Sequence, residues 1–159
     1  MPPAVLDTLV GVTQIRTMDF SGADAPTTGE RPALLLIDHG SRRAAANTLL
    51  GEVAALVKER LGTKSIVEPA HMELAKPTIA EGFARCVAQG ATKVVVHPFM
   101  LAPGRHVTED LPRLVAEAAA QHPGVRFSMA APLGSHSGVV DAVIERCQSA
   151  FSDVDPSQA

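Results

Sequence analysis

From Arg31 onward, short apolar runs alternate with longer stretches in which apolar residues recur at helical spacing. That alternation predicts βα units built around a parallel sheet. Four runs, 33–37, 66–70, 93–96 and 125–130, have strand length and lie between turn signals. Pro69, in the second run, has no N–H to give to a ladder, so this strand is expected at a sheet edge. Between the runs, Leu49, Val53, Leu56, Val57 and Leu61 form a first helical stripe that Gly62 closes. Ile79, Phe83, Cys86 and Val87 form a second, opened by Pro77 in its first turn and closed by Gly90. Leu111, Leu114, Val115 and Ala118 form a third, and Val140, Val143, Ile144, Cys147 and Phe151 share one face of a fourth.

Composition narrows the class. The chain has 159 residues, 46% hydrophobic and 19% charged, which suits one domain with a single core. Residues 1–30 mix Pro and Gly with one weak apolar stretch and read as an extension, 31–152 as the folded domain and 153–159 as a polar tail. The extension has neither the basic start and apolar centre of a secretory signal nor the Arg-rich, acid-poor character of a transit peptide. A cytoplasmic location is the simplest expectation, with an organelle stroma the alternative if a leader has been trimmed. A net charge of −3, five Phe and no Trp or Tyr argue against nucleic acid as a partner. No apolar run approaches the roughly 18 residues of a membrane span, so no membrane partner is expected. Cys86 and Cys147 lack the spacing of a zinc or redox motif and read as reduced core thiols.

In open parallel sheets, ligands bind at the carboxyl ends of the strands. The four loops expected there carry His39, His71, His106 and His136, four of the six histidines. Neutral imidazole binds borderline divalent metals and also accepts protons, and Glu73 adds a carboxylate beside His71. Imidazoles with a carboxylate suit a reaction that holds a first-row metal while protons are displaced by it, and metal insertion is one such reaction. Gly40, Gly104 and Gly134 allow close backbone approach, and Arg42, Arg43 and Arg105 suit an anionic substrate.

Leu-Leu-Leu-Ile-Asp-His-Gly-Ser-Arg at 34–42, Met-Glu-Leu-Ala-Lys-Pro at 72–77, Pro-Phe-Met-Leu-Ala-Pro-Gly-Arg-His at 98–106 and Pro-Leu-Gly-Ser-His at 132–136 resemble, in order and spacing, the small sirohydrochlorin chelatases. The resemblance covers about residues 33–150. It implies a doubly wound, four-stranded parallel sheet flanked by helices on both faces. It implies insertion of Co²⁺ or Fe²⁺ into sirohydrochlorin without ATP, on the route to cobalamin or sirohaem, with no permanently bound cofactor and in a homodimer. Carried over by position, it puts the metal and catalytic site on His39, Glu73 and His106. Gly40, Ser41, Arg42, Phe99, Met100, Leu101, Gly104, Arg105 and His136 would contact substrate, with 99–101 as an apolar wall. His71 stands where similar sequences carry an apolar or aromatic residue, and it reads as an additional ligand or a supporting group.

Less specific readings compete. His39 or His106 alone could be structural, and Glu73 a solvated carboxylate. His97 and His122, each beside a proline, read as structural or solvent-facing. A strand ending in His-Gly also suits a phosphoryl-transfer enzyme with a nucleophilic histidine, but such enzymes expect Arg before the histidine, where this chain has Asp38. A non-catalytic divalent-metal carrier would use the same imidazoles.

Overall fold

The computed structural model describes residues 29–102 and 104–152, without the side chains of His106 and Ser152; the extension expected over 1–30, except Gly29 and Glu30, and the tail expected over 153–159 lie outside the described residues. The elements run β1 (Pro32–Asp38), α1 (Ala44–Leu61), β2 (Ile66–His71), α2 (Ile79–Ala88), β3 (Lys93–Pro98), a short π-helix (His106–Asp110), α3 (Leu111–Ala120), β4 (Arg126–Met129) and α4 (Ser137–Ser152). All neighbouring strands pair in parallel, in the order β2-β1-β3-β4. The Pro69-bearing strand is at an edge, as its missing donor requires. The order reverses between β1 and β3, and the crevice outside their carboxyl ends is where such sheets bind ligands.

Two apolar layers sandwich the sheet. On one face Ala33, Leu35, Ile37, Ala70, Val94 and Val96 pack against Phe83 and Cys86 of α2 and Leu111, Val115 and Ala118 of α3. On the other, Leu36 and Val67 meet Leu50 and Ala54 of α1, with Phe99 and Val53 packed alongside. The helical stripes of α2 and α3 bury as their periodicity predicts. α1 ends at Gly62, whose φ of 100° lies in the left-handed region that glycine enters freely.

Three expectations are corrected. Pro77 does not open α2. Thr78 is its N-cap, with its hydroxyl accepting the Glu81 N–H while the Glu81 carboxylate accepts the Thr78 N–H. This reciprocal box satisfies two backbone donors that a proline cannot, and it holds the Glu81 carboxyl below its ordinary pKa, first through the Thr78 N–H and then through Lys76. Cys147 is exposed, whereas Cys86 is a core thiol as expected. The α1 stripe buries only in part, since Leu49 and Leu56 are 54% and 59% exposed and Leu50 and Ala54 are the buried residues of the helix.

α4 forms where its periodicity predicts, but its apolar stripe is open. Val140, Val143, Ile144 and Phe151 are all among the exposed large hydrophobics, Phe151 at 79%.

Candidate functional site

The β1–β2 ladder does not stop where the strands end. Asp38 pairs with His71 at the last register position. Beyond it the Met72 N–H donates to the Asp38 carbonyl at 2.9 Å and the Glu73 N–H to the His39 carbonyl at 3.1 Å. Two backbone bonds thus carry sheet geometry into the loops and set His39 and Glu73 side by side at the carboxyl edge. Both side chains are exposed to solvent.

Gly40 makes this approach possible. A Cβ at this position would lie 1.9 Å from the Glu73 carbonyl oxygen, and the Gly40 φ of 82° is left-handed. Only glycine meets both conditions without displacing the Glu73 backbone. On the far side of Glu73, the Ala75 N–H donates to the Glu73 carbonyl at 2.8 Å across Leu74, whose φ is 64°. That is a tight three-residue turn, and left-handed backbone at a leucine is strained. The strain sits immediately after the residue that the loop presents.

Beneath these exposed groups is a buried pair. His71, 3% exposed, donates from Nδ1 to Asp38 Oδ1 at 2.5 Å. The same Oδ1 accepts the Gly40 N–H at 2.9 Å. The acceptor-only carboxylate fixes the imidazole tautomer and ties the turn after His39 to the end of β2. His71 therefore supports the loop from within rather than facing the opening. The next turn is held by Asn47, which accepts the Ser41 N–H at 2.8 Å and donates to the Ser41 carbonyl at 2.7 Å. Arg42 is left exposed.

His39, Met72 and Glu73 line a cavity of about 270 Å³ whose opposite wall is Asp110, Arg113 and Leu114, from the π-helix and α3. Sequence reasoning missed this wall, although Asp110 and Arg113 flank the first turn of α3, which opens toward the strand ends. It also missed Asn47 and the role of Asp38. The signal for the latter was available in His71, since a histidine closing a buried strand requires a partner.

The other expected contacts divide. Of the apolar wall, Met100 is buried and Phe99 packs in the α1-side core, so only Leu101, 59% exposed, is open to a ligand. Gly104 and Arg105 are exposed, and Arg105 pairs with Glu109 one helical turn on. His136 caps α4, with its Nδ1 accepting the Gly138 N–H at 3.1 Å. The backbone of His106 opens the π-helix, and its side chain lies outside the described residues. Among the described residues no three His, Cys, Asp or Glu side chains gather around one point. His122 stacks on Phe83, a structural role as expected. His97 has a buried Nδ1 without a hydrogen bond, and burial depresses its pKa.

A family model described as CbiX matches residues 33–150. The chain belongs to the CbiX family. This CbiX chain is 46% identical over 127 residues to the chloroplastic sirohydrochlorin ferrochelatase of Arabidopsis thaliana, a match covering 80% of this chain and 56% of that one. It is 30% identical to the sirohydrochlorin cobaltochelatase of Methanococcus aeolicus, covering 73% of this chain and 97% of the relative. Among solved structures it is similar to the sirohydrochlorin chelatase SirB of Bacillus subtilis subspecies spizizenii in complex with cobalt, with a TM-score of 0.65, 33% identity, and coverage of 74% of this chain and 50% of that one. The chain thus spans about half the length of the Arabidopsis and Bacillus relatives and nearly the whole of the Methanococcus one. The strand order and two-faced packing agree with the fold that the sequence resemblance implied. In the described residues no helix is long and apolar enough to cross a membrane.

Proposed function

We propose that this CbiX chain is an ATP-independent metallochelatase that inserts Co²⁺ or Fe²⁺ into sirohydrochlorin. The observation that carries the proposal is the joint placement of His39 and Glu73 over one open cavity at the sheet's switch-point edge. The relatives named as sirohydrochlorin chelatases for both metals, and the cobalt-bound SirB, support it.

In this reading the metal is a substrate. An imidazole nitrogen of His39 and a Glu73 oxygen take the ion from water, and His106 is the third donor that the family resemblance assigns. Insertion forms metal–nitrogen bonds as two pyrrole N–H bonds break, so one dication enters and two protons leave. The imidazoles and Glu73 accept these protons and pass them to solvent, and the exposure of His39 and Glu73 suits that outlet. Leu101 provides apolar surface for the macrocycle, while Arg42, Arg105 and Arg113 provide cations for its carboxylates. The active unit is a homodimer in the cytoplasm or an organelle stroma.

The test is to mix protein, sirohydrochlorin and Co²⁺ or Fe²⁺ and follow the absorbance change on metallation. His39→Ala, Glu73→Gln and His106→Ala are each expected to lower the rate by about 10²–10⁴, the usual contribution of a positioned acid–base group. A wild-type rate no faster than the protein-free rate refutes the proposal. Phosphatase activity abolished by His39→Ala would favour phosphoryl transfer instead.

A further inference from the structure

Among the described residues His71 is the only buried polar side chain, at the end of a strand whose Ala70 and whose paired Ile37 are fully buried. An apolar residue there would bury with no hydrogen bond to satisfy, and replacing a buried polar pair by apolar groups of like volume is often neutral for stability. What an apolar pair cannot supply is direction. Asp38 Oδ1 accepts at once from His71 Nδ1 at 2.5 Å and from the Gly40 N–H at 2.9 Å, so one atom joins the end of β2 to the turn that follows His39. The His71 backbone closes the other loop. Its N–H donates to the Pro77 carbonyl at 2.8 Å and the residue bridges to Thr78, so the segment 72–77 leaves and returns at one point. His39 is the next residue after Asp38, and Glu73 the second after His71. The two loops that carry them thus share a single buried fastening.

We propose that Asp38 and His71 are positioning residues that hold the backbones of His39 and Glu73 in fixed relation, so that a divalent cation meets two donors already gathered. The proposal rests on the reading of His39 and Glu73 as metal ligands. Asp38 acts through the Gly40 N–H, and His71 acts through Asp38 and through the base of its own loop. Without this fastening the ion itself would have to order both loops, and the lost conformational freedom would be subtracted from its affinity.

Calorimetric titration of Co²⁺ into the full chain, with no tetrapyrrole present, tests it. The double variant Asp38→Ala/His71→Phe removes both polar partners together and so leaves neither of them buried and unpaired. It is expected to melt within about 5 °C of wild type. Its Co²⁺ affinity is expected to fall by about 10–100-fold, the usual cost of losing the groups behind a metal ligand. A role confined to stability would move the first quantity and spare the second. Asp38→Asn keeps an oxygen for both N–H groups and is expected to bind Co²⁺ as wild type does. A double variant with wild-type affinity overturns the inference. So does an Asp38→Asn protein that binds as weakly as Glu73→Gln, whether or not the double variant folds, because charge rather than position would then be at work. His39→Ala and Glu73→Gln test the ligand assignment itself. If both weaken Co²⁺ binding and the double variant does not, the inference alone falls; if neither does, the assignment falls and the inference with it.

Discussion

Replacing Gly40 with alanine tests whether the close approach of two loops sets the site. The new Cβ would fall 1.9 Å from the Glu73 carbonyl oxygen, whereas carbon–oxygen contacts settle near 3.3–3.6 Å, so about 1.4 Å of separation must be found. The contact is with backbone, and no side-chain rotation relieves it. Moving Glu73 that far stretches its 3.1 Å bond to the His39 carbonyl beyond bonding range, at a cost of about 0.5–1.5 kcal/mol. Holding alanine at a left-handed φ adds roughly 1–2 kcal/mol. The total is about 1.5–3.5 kcal/mol, or roughly 6–14 °C in melting temperature at about 4 °C per kcal/mol for a domain of this size. Displacement of the Glu73 carboxylate by about an ångström is expected to cost roughly 10² in metallation rate. Gly104→Ala is the control, because its Cβ would meet nothing within 4 Å, and its expected effect is within about 1 kcal/mol. Calorimetry and the metallation assay read both variants. A Gly40→Ala protein that melts and turns over like wild type refutes the reasoning.

Two further expectations follow from buried titratable groups. Burial holds His97 neutral in the fold, with its pKa below the usual value, so as pH falls through about 6.5 the unfolded chain takes up the proton first and stability drops. Melting curves from pH 8 to 5 should show an acid-side loss that His97→Leu removes, and parallel curves would contradict this. Burial also pushes the Cys86 thiol up to about 12. In a Cys147→Ser chain, a thiol reagent at pH 8 should therefore label nothing until denaturant is added.

The alternation of runs was enough to place all four strands and helices, and Pro69 alone put β2 at the edge, because a missing donor has one consequence in a ladder. The candidate site was legible as a set of loops, since strand ends and histidines are both visible in one dimension. What lay between those loops was not. The Asp38–His71 pair joins residues 33 apart, and only the parallel register brings them level. The role of Gly40 depends on a neighbour in another loop, which no turn rule supplies. The apolar wall failed because Phe99 and Met100 continue the strand's alternation into the core, whereas only Leu101 lies beyond it. Pro77 misled because Thr78 and Glu81 spell a capping box one residue later, a signal present in the sequence and overlooked.

Because the ladder runs on past β1 and β2, the spacing of His39 and Glu73 is inherited from strand register rather than set by loop length. A single-residue insertion or deletion in either strand would turn one of these side chains to the opposite face of the pleat and separate the two. Under the proposed function, divergence in metal preference within such a scaffold is channelled into exchanges of side chain at fixed addresses, and length variation is pushed out to the connections at the amino ends of the strands.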